Sequence, residues 1–286
     1  SYMFSEATFF NNNISNWNTG KVSNMTQMFL SAKSFNSDIS NWNTSKVSNM
    51  NGMFTGTIFN NNISNWNTSK VSNMNGMFSN TSFNSDISNW NTSKVSDMNV
   101  MFAAATAFNS DISNWNTSKV SDMSVMFVDA TAFNSDISNW NTGKVSDMNQ
   151  MFSDTSFNQN ISNWDTSKVS DMSDMFAGAT FNQNISNWNT SKVSDMSSMF
   201  GNTPFNSDIS NWNTGKVSDM SSMFTGATLF NSDISNWNTG KVVNANGFGG
   251  AYTIVSSPLC IDGYDNVPLN LKGRFTKAVI CANFHS

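Results

Sequence analysis

Residues 205–224 read FNSDISNWNTGKVSDMSSMF, and the chain writes this stretch ten times with small changes. Its ten tryptophans, Trp17, Trp42, Trp66, Trp90, Trp115, Trp140, Trp164, Trp188, Trp212 and Trp237, all occupy one position of it, 24 or 25 residues apart. Self-similarity at a fixed period of about 20 to 50 residues is the signature of a stacked-repeat architecture. The other apolar residues obey the same frame. Eighteen of the nineteen Met fall on two positions of the unit, Met3 being the remnant of a partial first copy, and 20 of the 24 Phe fall on two others. With Ile, Trp and Val at one position each, a rung carries seven apolar side chains as its core. Seven side chains cannot offset the ordering of some two dozen residues, so a lone rung cannot fold and stacking must supply the difference.

Spacing inside the unit is rigid: Phe to Trp is seven residues, Trp to Val five, Val to Met three, Met to Met three. The 24/25 alternation arises only between the two Phe, five steps from Phe78 to Phe83 and six from Phe102 to Phe108. A link that absorbs an extra residue without disturbing its flanks predicts a surface turn, and Gly56, Gly178, Gly226 and Pro204 lie there. Val22, Met25, Met28, Phe29 and Ala32 have helical or 3₁₀ spacing, whereas Asn-Trp-Asn-Thr alternates as a very short strand with Trp and Thr inward and Asn outward. One short parallel strand and one short helical turn per rung is the leucine-rich-repeat plan. The expected fold is a right-handed solenoid of about ten rungs over residues 1–243, about 50 Å long at strand spacing. After Lys241 the pattern decays, and residues 244–286 read as a C-terminal cap hiding the last open core face. Cys260 and Cys281 fall in it, as a disulfide of an oxidising compartment or as two buried thiols.

The unit closely resembles the roughly 25-residue repeat of the BspA-like leucine-rich-repeat surface proteins, through the pattern F-N-x-D-I-x-x-W-x-T-x-x-V-x-x-M-x-x-M-F over about residues 1–243. That family includes mycoplasma surface lipoproteins and large secreted proteins. The resemblance implies a leucine-rich-repeat fold, a cell-surface or extracellular location and a role in adhesion. It brings no catalytic motif. Residues 244–286 lie outside it.

Composition narrows the function further. With 14 Lys+Arg against 19 Asp+Glu, the chain lacks the concentrated basic surface that nucleic acid requires. No apolar run approaches the roughly 18 residues of a membrane span. Residue 1 is not Met and SYMF falls in mid-repeat, which predicts a processed product or a piece of something longer. The only histidine is His285, and no nucleophile or paired-acid motif stands outside the repeat, so a non-enzyme without cofactor is expected.

Two rows of Asn are the candidate binding surface. One is Asn41, Asn65, Asn89, Asn114, Asn139, Asn163, Asn187 and Asn211; the other is Asn43, Asn67, Asn91, Asn116, Asn141, Asp165, Asn189 and Asn213. At strand spacing they form a two-column amide grid. It serves either as a polar face for protein, glycan, matrix or ice, or as an Asn ladder bonding rung to rung. A lysine row (Lys21, Lys46 and onward to Lys241) runs beside it, and Asp97, Asp122, Asp147, Asp171, Asp195 and Asp219 each follow a Lys by three, which predicts a charge-balanced edge. Asn24, Asn49 and Asn73 stand at the same unit position as those Asp. Asp and Asn are interchangeable as turn caps but not as calcium ligands, so no metal is expected. Three functions follow: an adhesive surface protein, an ice-binding solenoid, or a filament subunit associating end to end.

Overall fold

A computed structural model describes residues 1–249 of the 286-residue chain. They form a repeat solenoid, but its rungs are not built as the spacing suggests. Among the described residues there is neither an α- or 3₁₀-helix nor a multi-residue strand; each rung is a chain of tight turns.

The rung from Phe35 shows how. Trp42 N–H donates to Ile39 C=O (3.1 Å), Val47 N–H to Thr44 C=O (2.9 Å) and Met53 N–H to Met50 C=O (3.2 Å). Each of these four-residue turns begins and ends on an inward side chain, and each follows an Asp or Asn that caps it. Asp38 Oδ1 accepts the N–H of Ser40, Asn43 Oδ1 that of Ser45 and Asn49 Oδ1 that of Asn51, at 2.9, 3.1 and 2.9 Å. A rung is therefore three five-residue modules of the form Asx-inward-x-x-inward: Asp38–Trp42, Asn43–Val47 and Asn49–Met53. This is the physical reason that Asp and Asn alternate freely: only a side-chain oxygen is used.

The expected strand at Asn-Trp-Asn-Thr is absent because its Trp N–H is spent closing a turn. The parallel contact lies one module on. Isolated parallel bridges pair Asn24 with Asn49, Asn49 with Asn73 and Asn73 with Asp97, and they resume from Asp122 through Asp147, Asp171, Asp195 and Asp219 to Asn244. From each bridge the chain donates forward at every second residue: Met50 to Asn73 C=O, Gly52 to Asn75, Phe54 to Met77 and Gly56 to Ser79, at 2.8–3.0 Å. The N–H groups between them, on Met53 and Thr55, bond back three residues within their own rung. One edge thus behaves as a parallel strand while the other closes on itself, through left-handed residues at Gly52 (φ 57°) and Gly56 (φ 71°). The same ladder runs through Asn244, Asn246 and Phe248, which accept from Met220, Ser222 and Phe224.

The core is the set of side chains that the turns point inward. Met, Phe, Ile, Trp and Val of the rungs from Phe35 to Phe224 are buried, and the Thr of the N-T-S/G-K-V module is buried with them. The two Phe flanking the link stack face to face at 3.7–4.1 Å in 24- and 25-residue rungs alike. The link is consequently less superficial than its variable length suggests. In several longer rungs a buried Ala closes a backbone turn, as Phe108 N–H does on Ala105 C=O (2.9 Å). In several shorter ones a buried Thr hydroxyl replaces that turn: Thr57 Oγ1 donates to Phe54 C=O (2.8 Å) and accepts the N–H of Phe59 (3.3 Å).

Candidate functional site

Side chains, not backbone, join the rungs beneath the asparagine face. Each indole from Trp42 to Trp237 donates Nε1–H to the Ile carbonyl of the preceding rung, at 3.0–3.2 Å. Thr Oγ1 reaches the other way, donating to the carbonyl of the second Asn (or Asp165) in the following rung, at 3.0–3.2 Å from Thr19 through Thr214. Thr92 also accepts the N–H of Asn116 (2.7 Å). With Trp and Thr drawn inward, the flanking residues must face out. Asn41, Asn65, Asn89, Asn114, Asn139, Asn163, Asn187 and Asn211 are exposed, as are Asn43, Asn67, Asn91, Asn116, Asn141, Asp165, Asn189 and Asn213.

The two columns are chemically different. In the second, every Oδ1 is committed to capping its own turn, so Nδ2 is left to reach a ligand. That amide overlies the corner of the preceding rung: a Cβ on Gly20 would stand 3.3 Å from Asn43 Nδ2. In the first column the side chains make no hydrogen bond among the described residues, so both ends of each amide are open to solvent. Neither column is the expected rung-to-rung ladder.

That ladder exists elsewhere, on residues that the sequence reading passed over. Asn11 Oδ1 accepts the N–H of Asn36, Asn36 that of Asn60, and so on unbroken through Asn84, Asn109, Asn134, Asn158, Asn182 and Asn206 to Asn231, at 2.7–3.0 Å. These are the Asn of the Phe-Asn dipeptide. Their invariance from rung to rung, where the Asx caps tolerate Asp, was the signal.

Grid spacing also differs from the strand spacing of about 4.8 Å. Stacked indoles on this side lie 6.3–6.5 Å apart, with planes within 8° of parallel, whereas the first Phe column, from Phe29 to Phe224, repeats at 5.6–5.9 Å. Backbone bonds of 2.6–3.4 Å on the ladder side hold the rungs near strand spacing, about 4.8 Å. The rungs therefore diverge towards the tryptophan edge, and the two Asn columns are wider-spaced than a flat sheet would make them.

Charge is distributed in separate strips. The expected pairing of each Lys with the Asp three residues on does not form. Those Asp carboxylates are half-buried, and Oδ1 of Asp122, Asp171, Asp195 and Asp219 is held by both N–H and Oγ of the Ser two residues later. Burial raises the Asp147 carboxyl above its ordinary value, and the like charges of Asp171 and Asp122 add to the shift against the N–H of Asn149. Asp174 is raised as well, by burial first and then by Asp195 and Asp171, against a hydrogen bond from Ser198. On the exposed cap positions the sign reverses: the N–H and hydroxyl of Ser40 hold Asp38 below the usual range, and the corresponding serines do so for Asp86, Asp111 and Asp208. Asp165, the one acid in the Asn columns, is lowered by Ser167 and then by Lys168 and Lys192. Cys260 and Cys281, with most of the expected cap, lie outside the described residues.

These features define a class: a tandem-repeat solenoid that offers its surroundings columns of identical polar groups. Residues 1–82, 56–157 and 153–257 each match the family described as "Mycoplasma protein of unknown function, DUF285", and the chain belongs to it. No curated protein matches the chain. Among solved structures it is similar to an internalin (inlF) from Listeria monocytogenes str. 4b F2365, at 8% identity and a TM-score of 0.22, over 75% of this chain and 64% of that one. The chain thus spans less than two thirds of that internalin. Among the described residues, no helix is long and apolar enough to cross a membrane.

Proposed function

We propose that this chain is a non-enzymatic, cell-surface or extracellular adhesive repeat protein that contacts its partner through the two outward Asn columns. The supporting observation is the open first column. From Asn41 to Asn211 the amides stand exposed and without internal partners, on a layer pinned by indole and threonine hydrogen bonds. Such an array offers one donor and one acceptor per rung at fixed register, with little ordering left to undergo on binding. Membership of the mycoplasma repeat family and the pattern shared with BspA-like, leucine-rich-repeat surface proteins agree with a surface location. A partner bound by many equivalent contacts suits attachment better than turnover.

Glycan and matrix-protein arrays probed with the purified chain test this reading, beside a variant carrying Asn89→Tyr, Asn114→Tyr and Asn139→Tyr. The expected result is a bound class of glycan or matrix protein that the variant loses while its unfolding midpoint stays unchanged. Equal binding by both proteins would contradict it. Ice is the second ligand suggested by a regular polar array, and ice-crystal shaping can be scored on the same pair. Against ice stand the diverging rungs and the Thr side chains, which are buried and spent on carbonyls rather than set outward in rows.

A further inference from the structure

The lysine row is the feature that neither fold nor caps require. Lys46 sits third in the turn Thr44–Val47, whose two ends are buried, so its side chain must leave the rung. The same holds from Lys46 to Lys216, and Lys21, Lys46, Lys70, Lys94, Lys119, Lys144, Lys168, Lys192, Lys216 and Lys241 are all exposed in one column. None has a carboxylate within salt-bridge distance among the described residues. The aspartates that could have neutralised them are turned to other work. The column from Asp97 to Asp219 follows the ladder edge, where the charges acting on Asp147 are two further aspartates. The cap aspartates Asp38, Asp86, Asp111 and Asp208 are governed by their own serines, with no lysine acting on them. Asp165 does lie in the lysine field, where Lys168 and Lys192 lower it.

A chain of net charge −5 therefore carries a line of ten exposed lysines that have no salt-bridge partner among the described residues. Five pairs of neighbouring indoles on this side stack at 6.3–6.5 Å, so successive ammonium groups there can lie within the Debye length of about 8 Å at physiological salt, and their fields add. Beside the line runs the column of capping Asn, whose Nδ2 groups overlie the preceding rung's corner.

We propose that this strip binds a linear anionic polysaccharide, bearing sulfate or carboxylate groups, laid along the stack. Lysine Nζ meets the anionic groups, and the Nδ2 of Asn91, Asn116, Asn141 and their equivalents donates to hydroxyl or anionic oxygens between them. The inference deepens the adhesive reading and rests on it for the identity of the contact face. A single line of ammonium groups beside amides suits a polymer with one anionic edge and many hydroxyls. Single-stranded nucleic acid is bound on exposed aromatic platforms, and here the indoles from Trp42 to Trp237 are buried beneath the face.

The test is binding of the full chain to immobilised heparin, with dextran sulfate, neutral dextran and single-stranded DNA as competitors, over a range of salt. Two variants accompany it. One carries Lys94→Gln, Lys119→Gln, Lys144→Gln, Lys168→Gln and Lys192→Gln; the other carries Lys33→Gln, an exposed lysine off the strip. Dextran sulfate but not neutral dextran should compete. The five-lysine variant should bind at least tenfold more weakly with a shallower salt slope, because fewer counterions are released, and the Lys33 variant should bind as the parent does. Undiminished heparin binding by the five-lysine variant overturns the proposal, as does tighter binding to DNA than to heparin. If heparin is not bound but a neutral glycan or matrix protein is, and the triple Asn→Tyr change abolishes that, the anionic ligand falls while the adhesive reading stands. If nothing is bound, both fall.

Discussion

Thr92 is where core and surface meet. Its hydroxyl donates to Asn116 C=O at 3.1 Å and accepts Asn116 N–H at 2.7 Å, so one buried oxygen satisfies both backbone groups of a residue in the next rung. Thr92→Val keeps the shape and strands two polar groups, which costs about 1–3 kcal/mol. Urea unfolding should show that loss, and Thr92→Ser should recover most of it. Two valines make the opposite case. Val100 and Val125 adopt φ of 60° and 59° at the position where other rungs place Gly52, Gly76 and Gly247. A β-branched residue is a poor fit to left-handed backbone. Val125→Gly should raise stability by roughly 0.5–1 kcal/mol after allowing for the greater freedom of glycine in the unfolded chain; an unchanged or lower urea midpoint would show that its half-buried side chain matters more. The inward direction of Thr92 was legible, because Trp and Thr alternate with Asn. Its double hydrogen bond was not, since alternation reports which side faces in and nothing about what bonds there.

At the scale of the element, the spacing of three between Ile and Trp, Thr and Val, and Met and Met was plain in the sequence, but its meaning was not. A helical turn and an isolated β-turn both bring residues i and i+3 to the same side, so the interval alone cannot tell them apart. The deciding clue is the Asx residue before every such pair, at Asp38, Asn43 and Asn49, which marks three separate capped turns rather than one continuous helix. Strand pairing was misplaced for a related reason: the Asn-Trp-Asn-Thr segment alternates in burial without pairing its backbone. The carboxylate column supplies the pH prediction of this scale. Asp147 and Asp174 are raised in the folded chain, so the stability they contribute is present below their unfolded value near 3.8 and is lost as pH rises through the folded value. Asp38, Asp86, Asp111, Asp165 and Asp208 are lowered; their contribution is present above 3.8 and is lost as pH falls through the folded value. Where Asn neighbours the column its amide bonds directly to a carboxylate, Asn73 Nδ2 to Asp97 Oδ2 at 3.0 Å and Asn244 Nδ2 to Asp219 Oδ2 at 2.8 Å. Asp147→Asn should therefore raise the thermal midpoint at neutral pH and weaken the stability loss that the raised carboxyl produces as pH rises through its folded value. A midpoint lowered equally at pH 4 and pH 7 would mean that the column is not repulsive.

For the whole molecule, the repeat was the most legible feature, because every rung must present the same inward set to its neighbours. Rung length follows from it. Removing Trp115–Asn139, one full 25-residue period, brings Trp140 into the place of Trp115. The shortened chain should fold, with a denaturant slope lower by about a tenth; removing half as many residues should unfold the stack at the junction. The claim on which fold and face both depend is that the indoles point inward and bond to the preceding rung, since this is what turns the asparagines out. Hydrogen exchange of the ten indole N–H groups, followed by NMR, measures it directly. Trp42 to Trp237 donate to Ile carbonyls at 3.0–3.2 Å, whereas Trp17 is 41% exposed. Nine slowly exchanging indoles and one fast one are predicted; ten exchanging at the unprotected rate would contradict the account.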